Sequence, residues 1–148
     1  MFPWGRINGT AFRNVLFPTD LSKESFQAAR HALSFAREYA TPLTVVHVLP
    51  PAVTTQTGIE GLASAFRQNT QALPPAETAP WCDPEYLIGV GDPAETILRV
   101  ARARQAGLIV LGVRRAGPFA SHGTRNVACR IVAEAECPVL TVPAVSKL

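Results

Sequence analysis

The chain has 148 residues, 47% of them apolar and 17% charged, with a formal net charge of +3. That is the length of one domain with a single core, and the ordinary balance of a soluble globular chain. No apolar run approaches the roughly 20 residues of a membrane-spanning helix, and so small a net charge gives no case for a membrane or a specific nucleic-acid partner.

Residues 1–12 lack periodicity and read as an N-terminal arm before a single domain over 13–148. The start lacks a basic stretch followed by an apolar one, so no signal peptide and a cytoplasmic location are expected. Cys82, Cys129 and Cys137 form neither a CxxC pair nor a disulfide framework. Cys129 and Cys137 fall in or near one predicted helix and are expected in the core.

The first predicted strand is Asn14 to Phe17, stopped by Pro18. A helix follows, with Ser22 as its N-cap and Phe26, Ala29, Ala32, Leu33 and Ala36 on one apolar face. It should end near Ala40, because Pro42 disfavours helical geometry in the residue before it. Leu43 to Leu49 reads as a buried second strand, with His47 inside it as a satisfied core or edge histidine. Ile59 to Leu73 has weak helical character, and Pro74, Pro75 and Pro80 make a stiff connection. Tyr86 to Val90 is the third strand. Asp92 at N-cap, Pro93 at N1 and Glu95 at N3 then start a helix whose buried face is Ala94, Ile97, Leu98 and Ala101, with Gly107 as its stop. Leu108 to Val113 is a fourth strand. A helix from near Thr124 to Ala135 turns Val127, Ala128, Ile131 and Val132 inward. Val139 to Val142 is the fifth strand, closed by Pro143. The alternation predicts an α/β fold: a doubly wound, five-stranded parallel sheet with helices on both faces.

Ligands in such sheets sit beyond the carboxyl ends of the strands, which singles out the loop after Val113. Arg114, Arg115 and Arg125 there suggest an anionic small molecule. The wider segment from Thr96 to Ala133 contains no Asp or Glu but also holds Arg99, Arg102, Arg104 and Arg130; the pattern fits either a local positive field or, for Arg99, Arg102 and Arg104 above all, a solvated helix face. Neither a Walker A lysine motif nor a Gly-x-Gly-x-x-Gly loop is present. His31, His47 and His122 are scattered over a helix, a strand and a loop, with no acid–base constellation and no metal-ligand spacing, so no catalytic residue and no metal is assigned. A phosphoacceptor receiver shares this sheet class, but it would want clustered acids after the first strand, where Asp20 stands alone.

VLFPTDLSKES (15–25), LTVVHVLPP (43–51), VGDPAETIL (90–98) and the LIVLGVRR…CPVLTVP segments (108–143) together resemble the universal stress protein family. The resemblance implies an adenine nucleotide α-hydrolase-like, Rossmann-like sheet. In nucleotide-binding members it implies a site with Pro18, Thr19 and Asp20 near the adenosine moiety and Val48 near the adenine. The phosphates of those members rest on a loop written Gly-x2-Gly-x9-Gly-Ser/Thr. Gly112 matches its first glycine, but Arg115 and Arg125 stand at the second and third, and Asn126 stands at the Ser/Thr position. The Gly123-Thr124 pair lies two residues early. The cofactor is thereby left open between ATP, an altered anionic or nucleotide ligand, and none. The candidate site is Pro18, Thr19, Asp20, Val48, Gly112, Arg114, Arg115, Arg125 and Asn126. The resemblance further implies a non-enzymatic, stress-responsive homodimer paired through Val139 to Val142, with an ATP- or AMP-binding, slowly hydrolysing protein as the alternative.

Overall fold

A computed structural model describes residues 13–51, 58–70, 84–113 and 122–144, with the backbone alone over 122–126. Strands β1 (Val15–Pro18), β2 (Leu43–Leu49), β3 (Glu85–Val90), β4 (Leu108–Val113) and β5 (Val139–Pro143) form one sheet in the order β3-β2-β1-β4-β5. Every neighbouring pair is parallel. The helices are α1 (Lys23–Phe26), α2 (Ala29–Glu38), α3 (Ile59–Thr70), α4 (Pro93–Ala103) and α5 (His122–Glu134). The expected doubly wound α/β sheet is therefore the one observed.

Strands β1 and β4 are apolar without interruption, and β2 departs from this only at Thr44 and His47, because both faces of these inner strands are covered. Successive side chains alternate between two cores. Val15, Phe17, Leu43, Val45, Leu108 and Val110 meet Phe26, Ala29, Ala32, Leu33 and Ala36, together with Leu62 and Phe66 of α3. Leu16, Val46, Ile109 and Leu111 meet Ala94, Ile97, Leu98 and Ala101 of α4 and Ile131 of α5. Phe17, Phe26 and Phe66 form a tilted aromatic triangle in the first core, with ring centroids 6.1–6.5 Å apart.

Several expectations need correction. The helix expected from Ser22 to Ala40 is broken after Phe26, where Gln27 and Ala28 make tighter bonds to Glu24 and Ser25 C=O. Ser22 is its N-cap as expected, accepting from Ser25 N–H. Gly107 is not the stop of α4. Instead, its N–H bonds to Arg13 and Asn14 C=O and ties β4 to the start of β1. Val132 is 54% exposed rather than inward. Cys129 is exposed rather than in the core. Cys137 is half-buried against the second core, where burial and then the nearby Glu136 push its thiol up. The connection through Pro74, Pro75 and Pro80, and Cys82, lie outside the described residues.

Two helices end on a left-handed residue that is not glycine. Thr41 N–H returns to Ala36 C=O across Ala40 (φ 48°), and Ala106 N–H returns to Ala101 C=O across Gln105 (φ 54°). Such a turn normally uses glycine, because a Cβ in this conformation is strained. Ala40 is exposed, so nothing but the backbone changes on substitution. Ala40→Gly should raise stability by about 0.5–1 kcal/mol, the relief of strain exceeding the added freedom of the unfolded chain. Urea unfolding measures it, and an unchanged or lower midpoint would contradict the cap assignment.

Candidate functional site

The strand order reverses between β1 and β4, since the chain leaves β1 toward β2 and returns from β3 to β4 on the far side. Pairing between these two strands stops early, at Leu16 with Ile109, while β4 continues alongside β5 to Val113. A cleft of about 480 Å³ opens there, within the size range of small-molecule sites. Pro18, Val46, Val48, Pro93, Ile97, Leu111, Val127 and Ala128 make its walls mostly apolar, and Thr19, Asp20, Ser25, Asp92 and Gly112 complete it.

Of the residues expected at a site, Pro18, Thr19, Asp20, Val48 and Gly112 line this one cleft. Arg114 and Arg115 lie outside the described residues. Arg125 and Asn126 are placed by backbone only, in α5. That helix begins at His122 rather than near Thr124, so Gly123-Thr124 falls in its first turn ahead of Arg125-Asn126.

Thr19 is a structural knot. Its N–H donates to Val46 C=O (2.9 Å), and its C=O accepts from His47 Nδ1 (2.9 Å). Its Oγ1 accepts from Leu21 N–H (3.0 Å) and sits 2.6 Å from Ser25 Oγ. Ser25 Oγ–H donates to Ser22 C=O (3.0 Å), which can only accept. Ser25 has one hydroxyl proton, so the proton of the Thr19–Ser25 bond comes from Thr19. The loop pivots on Leu21 at φ 69°, a strained value for a branched side chain. Asp20, exposed beside this knot, accepts from Ser22 N–H through Oδ1 (2.9 Å).

Gly112 has a different duty from the one the phosphate-loop pattern gives it. A Cβ there would lie 2.8 Å from Ser25 Cα and 2.9 Å from the carbonyl oxygens of Glu24 and Ser25. These are backbone atoms of α1, which cannot step aside as a side-chain tip can. Gly112 lets α1 sit directly on the end of β4, so its presence is explained without a phosphate.

Asp92, expected as a helix cap, is one: its Oδ2 accepts from Glu95 N–H (2.9 Å). The same oxygen accepts from Arg130 Nη1 (3.0 Å), and Arg130 Nε reaches Glu134 (3.0 Å). Arg104 is likewise paired with Glu85 (2.7 Å). The basic segment is thus met, at these two arginines, by acids from β3, from the start of α4 and from the end of α5. Among the described residues that line the cleft, the charged ones are Asp20 and Asp92. The positive field expected there does not come from them. Sequence reasoning missed Ser25, Val46, Pro93, Ile97, Leu111, Val127 and Ala128 as lining residues, and had Asp92 only as a cap. Period-two alternation about Val48 was the signal available for Val46.

A doubly wound parallel sheet with a cleft at the reversal of its strand order defines an open α/β protein whose ligand site, by the general rule for such sheets, lies at that reversal. The universal stress protein family model matches residues 11–143, and the chain belongs to that family. It is 30% identical to a universal stress protein of Thermus aquaticus over 136 residues, covering 88% of this chain and 98% of that protein. A universal stress protein in complex with cAMP superposes with a TM-score of 0.70 at 22% identity, covering 92% of this chain and all of that one. The universal stress protein of Archaeoglobus fulgidus in complex with dAMP gives 0.60 at 20% identity, over 89% and 98% of the two chains. At these identities the two structures establish the shared fold. Among the described residues, no group of three or more His, Cys, Asp and Glu could hold a metal, and no helix is long and apolar enough to cross a membrane.

Gly112→Ala should destabilise the protein by about 1–3 kcal/mol, the usual cost of forcing volume into a filled site. Thermal unfolding in the absence of any ligand measures it. An unchanged midpoint would mean that Gly112 is there for something other than the seating of α1.

Proposed function

We propose that this protein is a non-enzymatic, stress-responsive homodimer whose cleft takes the adenosine half of a nucleotide with a short phosphate portion, such as AMP or cAMP. The observation that carries this is the convergence of Pro18, Asp20 and Val48 on one apolar cleft at the strand reversal. Asp20 offers a carboxylate to the hydroxyls of a ribose, and Val48 an apolar surface to a base. The complexes of two fold neighbours with cAMP and dAMP support a ligand of that size. The phosphate end differs from the family pattern. Arginines at 115 and 125 replace two glycines whose backbone amides would approach a triphosphate closely. A guanidinium can pair with a single phosphate, while an arginine lacks the bare Cα that the close backbone approach of a triphosphate rest would use.

The non-enzymatic assignment is supported by how the polar groups at the cleft are used. The hydroxyls of Thr19 and Ser25 and the Nδ1 of His47 are committed to the loop itself, which leaves none of them placed as a nucleophile or base. The free thiols of Cys129 and Cys137 are in keeping with a reducing compartment, as a cytoplasmic protein would meet.

Dimerisation is assigned to β5, which forms one edge of the sheet. Ile109 N–H bonds to Pro138 C=O, and Ala144 N–H to Val113 C=O. The even-numbered residues of β5 therefore face β4, and the backbone groups of Val139 and Thr141 turn outward. Pro143, which has no N–H, falls on that outward side, where proline is tolerated. An open edge of this kind accepts a second strand.

Calorimetric titration of nucleotide-free protein should give saturable micromolar binding of AMP or cAMP, weakened about 10- to 100-fold by Asp20→Ala, the loss of a charged hydrogen bond. ATP should bind more weakly than either. Tighter binding of ATP, or no binding of any of the three, would overturn the ligand assignment. Light scattering should return twice the 15.9 kDa chain mass. Thr141→Pro should return the monomer with an unchanged far-UV spectrum, since that N–H serves no bond to β4. A monomeric wild type, or a dimeric Thr141→Pro, would contradict pairing through β5.

A further inference from the structure

His47 is the buried histidine of the sheet, and its ring is bonded to the main chain of the cleft loop rather than to a ligand. The ladder between β1 and β2 ends beside it. Thr19 N–H donates to Val46 C=O, so Val46 and Val48 turn their backbone groups toward β1. Gly91 N–H donates to Leu49 C=O, which fixes His47 and Leu49 as the residues that face β3. The next rung of a parallel ladder would run from Val48 N–H to Thr19 C=O. That rung is absent: the Thr19 carbonyl is taken by His47 Nδ1 instead, and registered pairing stops at Pro18 with Val46. The Val48 N–H has no acceptor among the described residues, and Val48 lines the cleft.

We propose that His47 is a positioning residue that holds the Thr19 carbonyl away from Val48 and so keeps the Val48 backbone amide open to the cleft. A carbonyl oxygen only accepts, so the proton of this bond is on Nδ1, and neutral His47 is the Nδ1–H tautomer. The ring does two things at once. It satisfies a carbonyl that would otherwise close the sheet by one more rung. It also fixes Thr19 so that Asp20, the next residue, stays on the cleft wall. The ligand chemistry served is a planar heteroaromatic edge with an acceptor that can take the Val48 N–H, a chemistry that rests on the nucleotide reading above.

The test is hydrogen exchange of the Val48 amide in the ligand-free protein, measured by NMR in the wild type, His47→Leu and His47→Asn. Leucine keeps the buried volume but cannot donate, so Thr19 C=O is released to Val48 N–H, and protection of Val48 should rise about tenfold. Asparagine places an N–H on Cγ where the imidazole has its own, and should keep Val48 exchange fast. The wild-type ring should show the Nδ1–H pattern of imidazole nitrogen shifts. A Val48 amide as protected as that of Val46 in the wild type would overturn the proposal, as would imidazole nitrogen shifts showing Nε2 alone protonated. So would a folded leucine variant with unchanged exchange. The wild-type and asparagine rates decide the matter even if the leucine variant does not fold. These rates are read without nucleotide. AMP added afterwards should slow Val48 exchange in the wild type, and its failure to do so would count against the ligand reading while leaving the role of His47 standing.

Discussion

Thr19 is where the chain leaves the sheet, and each of its hydrogen-bonding groups is taken. The amide joins β2 at Val46, the carbonyl is held by His47, and the hydroxyl accepts from Leu21 and donates to Ser25. Satisfying a buried residue this fully prevents the cost of orphaned polar groups where β1 stops. It also fixes three elements relative to one another. β2 is held by the carbonyl bond, α1 by the Ser25 bond, and β4 by the contact of α1 with Gly112. The cleft is the space left in front of that junction. Its wall at Thr19, Ser25 and Gly112 is therefore set by core packing on the face of the sheet where α1 and α2 bury Phe26, Ala29 and Leu33, and its other wall by α4 and α5.

This arrangement separates two questions that a motif merges. Gly112 matches the first glycine of the phosphate-loop pattern that the resemblance implies, where a missing Cβ would serve the approach of the backbone to phosphates. In this chain its missing Cβ is needed by the backbone of α1 at 2.8–2.9 Å, whatever the ligand. On the proposed nucleotide reading, the nucleoside half of the cleft is therefore built into the junction around Thr19, while the phosphate half falls to Arg115 and Arg125, which stand where the family pattern has glycine.

Much of the fold was legible in the sequence because each signal was local and redundant. The helix start at Asp92-Pro93-Ala94-Glu95 combines a cap, a proline at N1 and an acid in the first turn, and the observed bond from Glu95 N–H to Asp92 follows from it. Leu43 to Leu49 carried a strand and nothing else. The misreadings arise where a residue answers to a tertiary neighbour. Gly107 looked like a helix stop, but its N–H is called on by Arg13 and Asn14, so the stop falls on Gln105 in a strained conformation. Val132 fits the apolar face by spacing, yet the width of the buried stripe on α5 stops at Ile131. At the site, the strand ends that carry Pro18, Thr19, Asp20 and Val48 were visible because they follow apolar runs directly. Ser25, Ile97 and Leu111 were not, because each lies on an element whose other residues fully explained its presence. The paired arginines were the least legible of all: the acids that meet Arg104 and Arg130 include Glu85 and Asp92, which are 19 and 38 positions away in the chain.

The central claim is that the junction around Thr19 presents an intact nucleoside site. The most direct measurement is a titration of isotope-labelled protein with AMP, followed through its backbone amide resonances. Saturable shifts should concentrate at Asp20, Leu21 and Val48, with the amides of β3 and of α2 unmoved. Saturable shifts centred elsewhere on the molecule, or none at millimolar AMP, would contradict it.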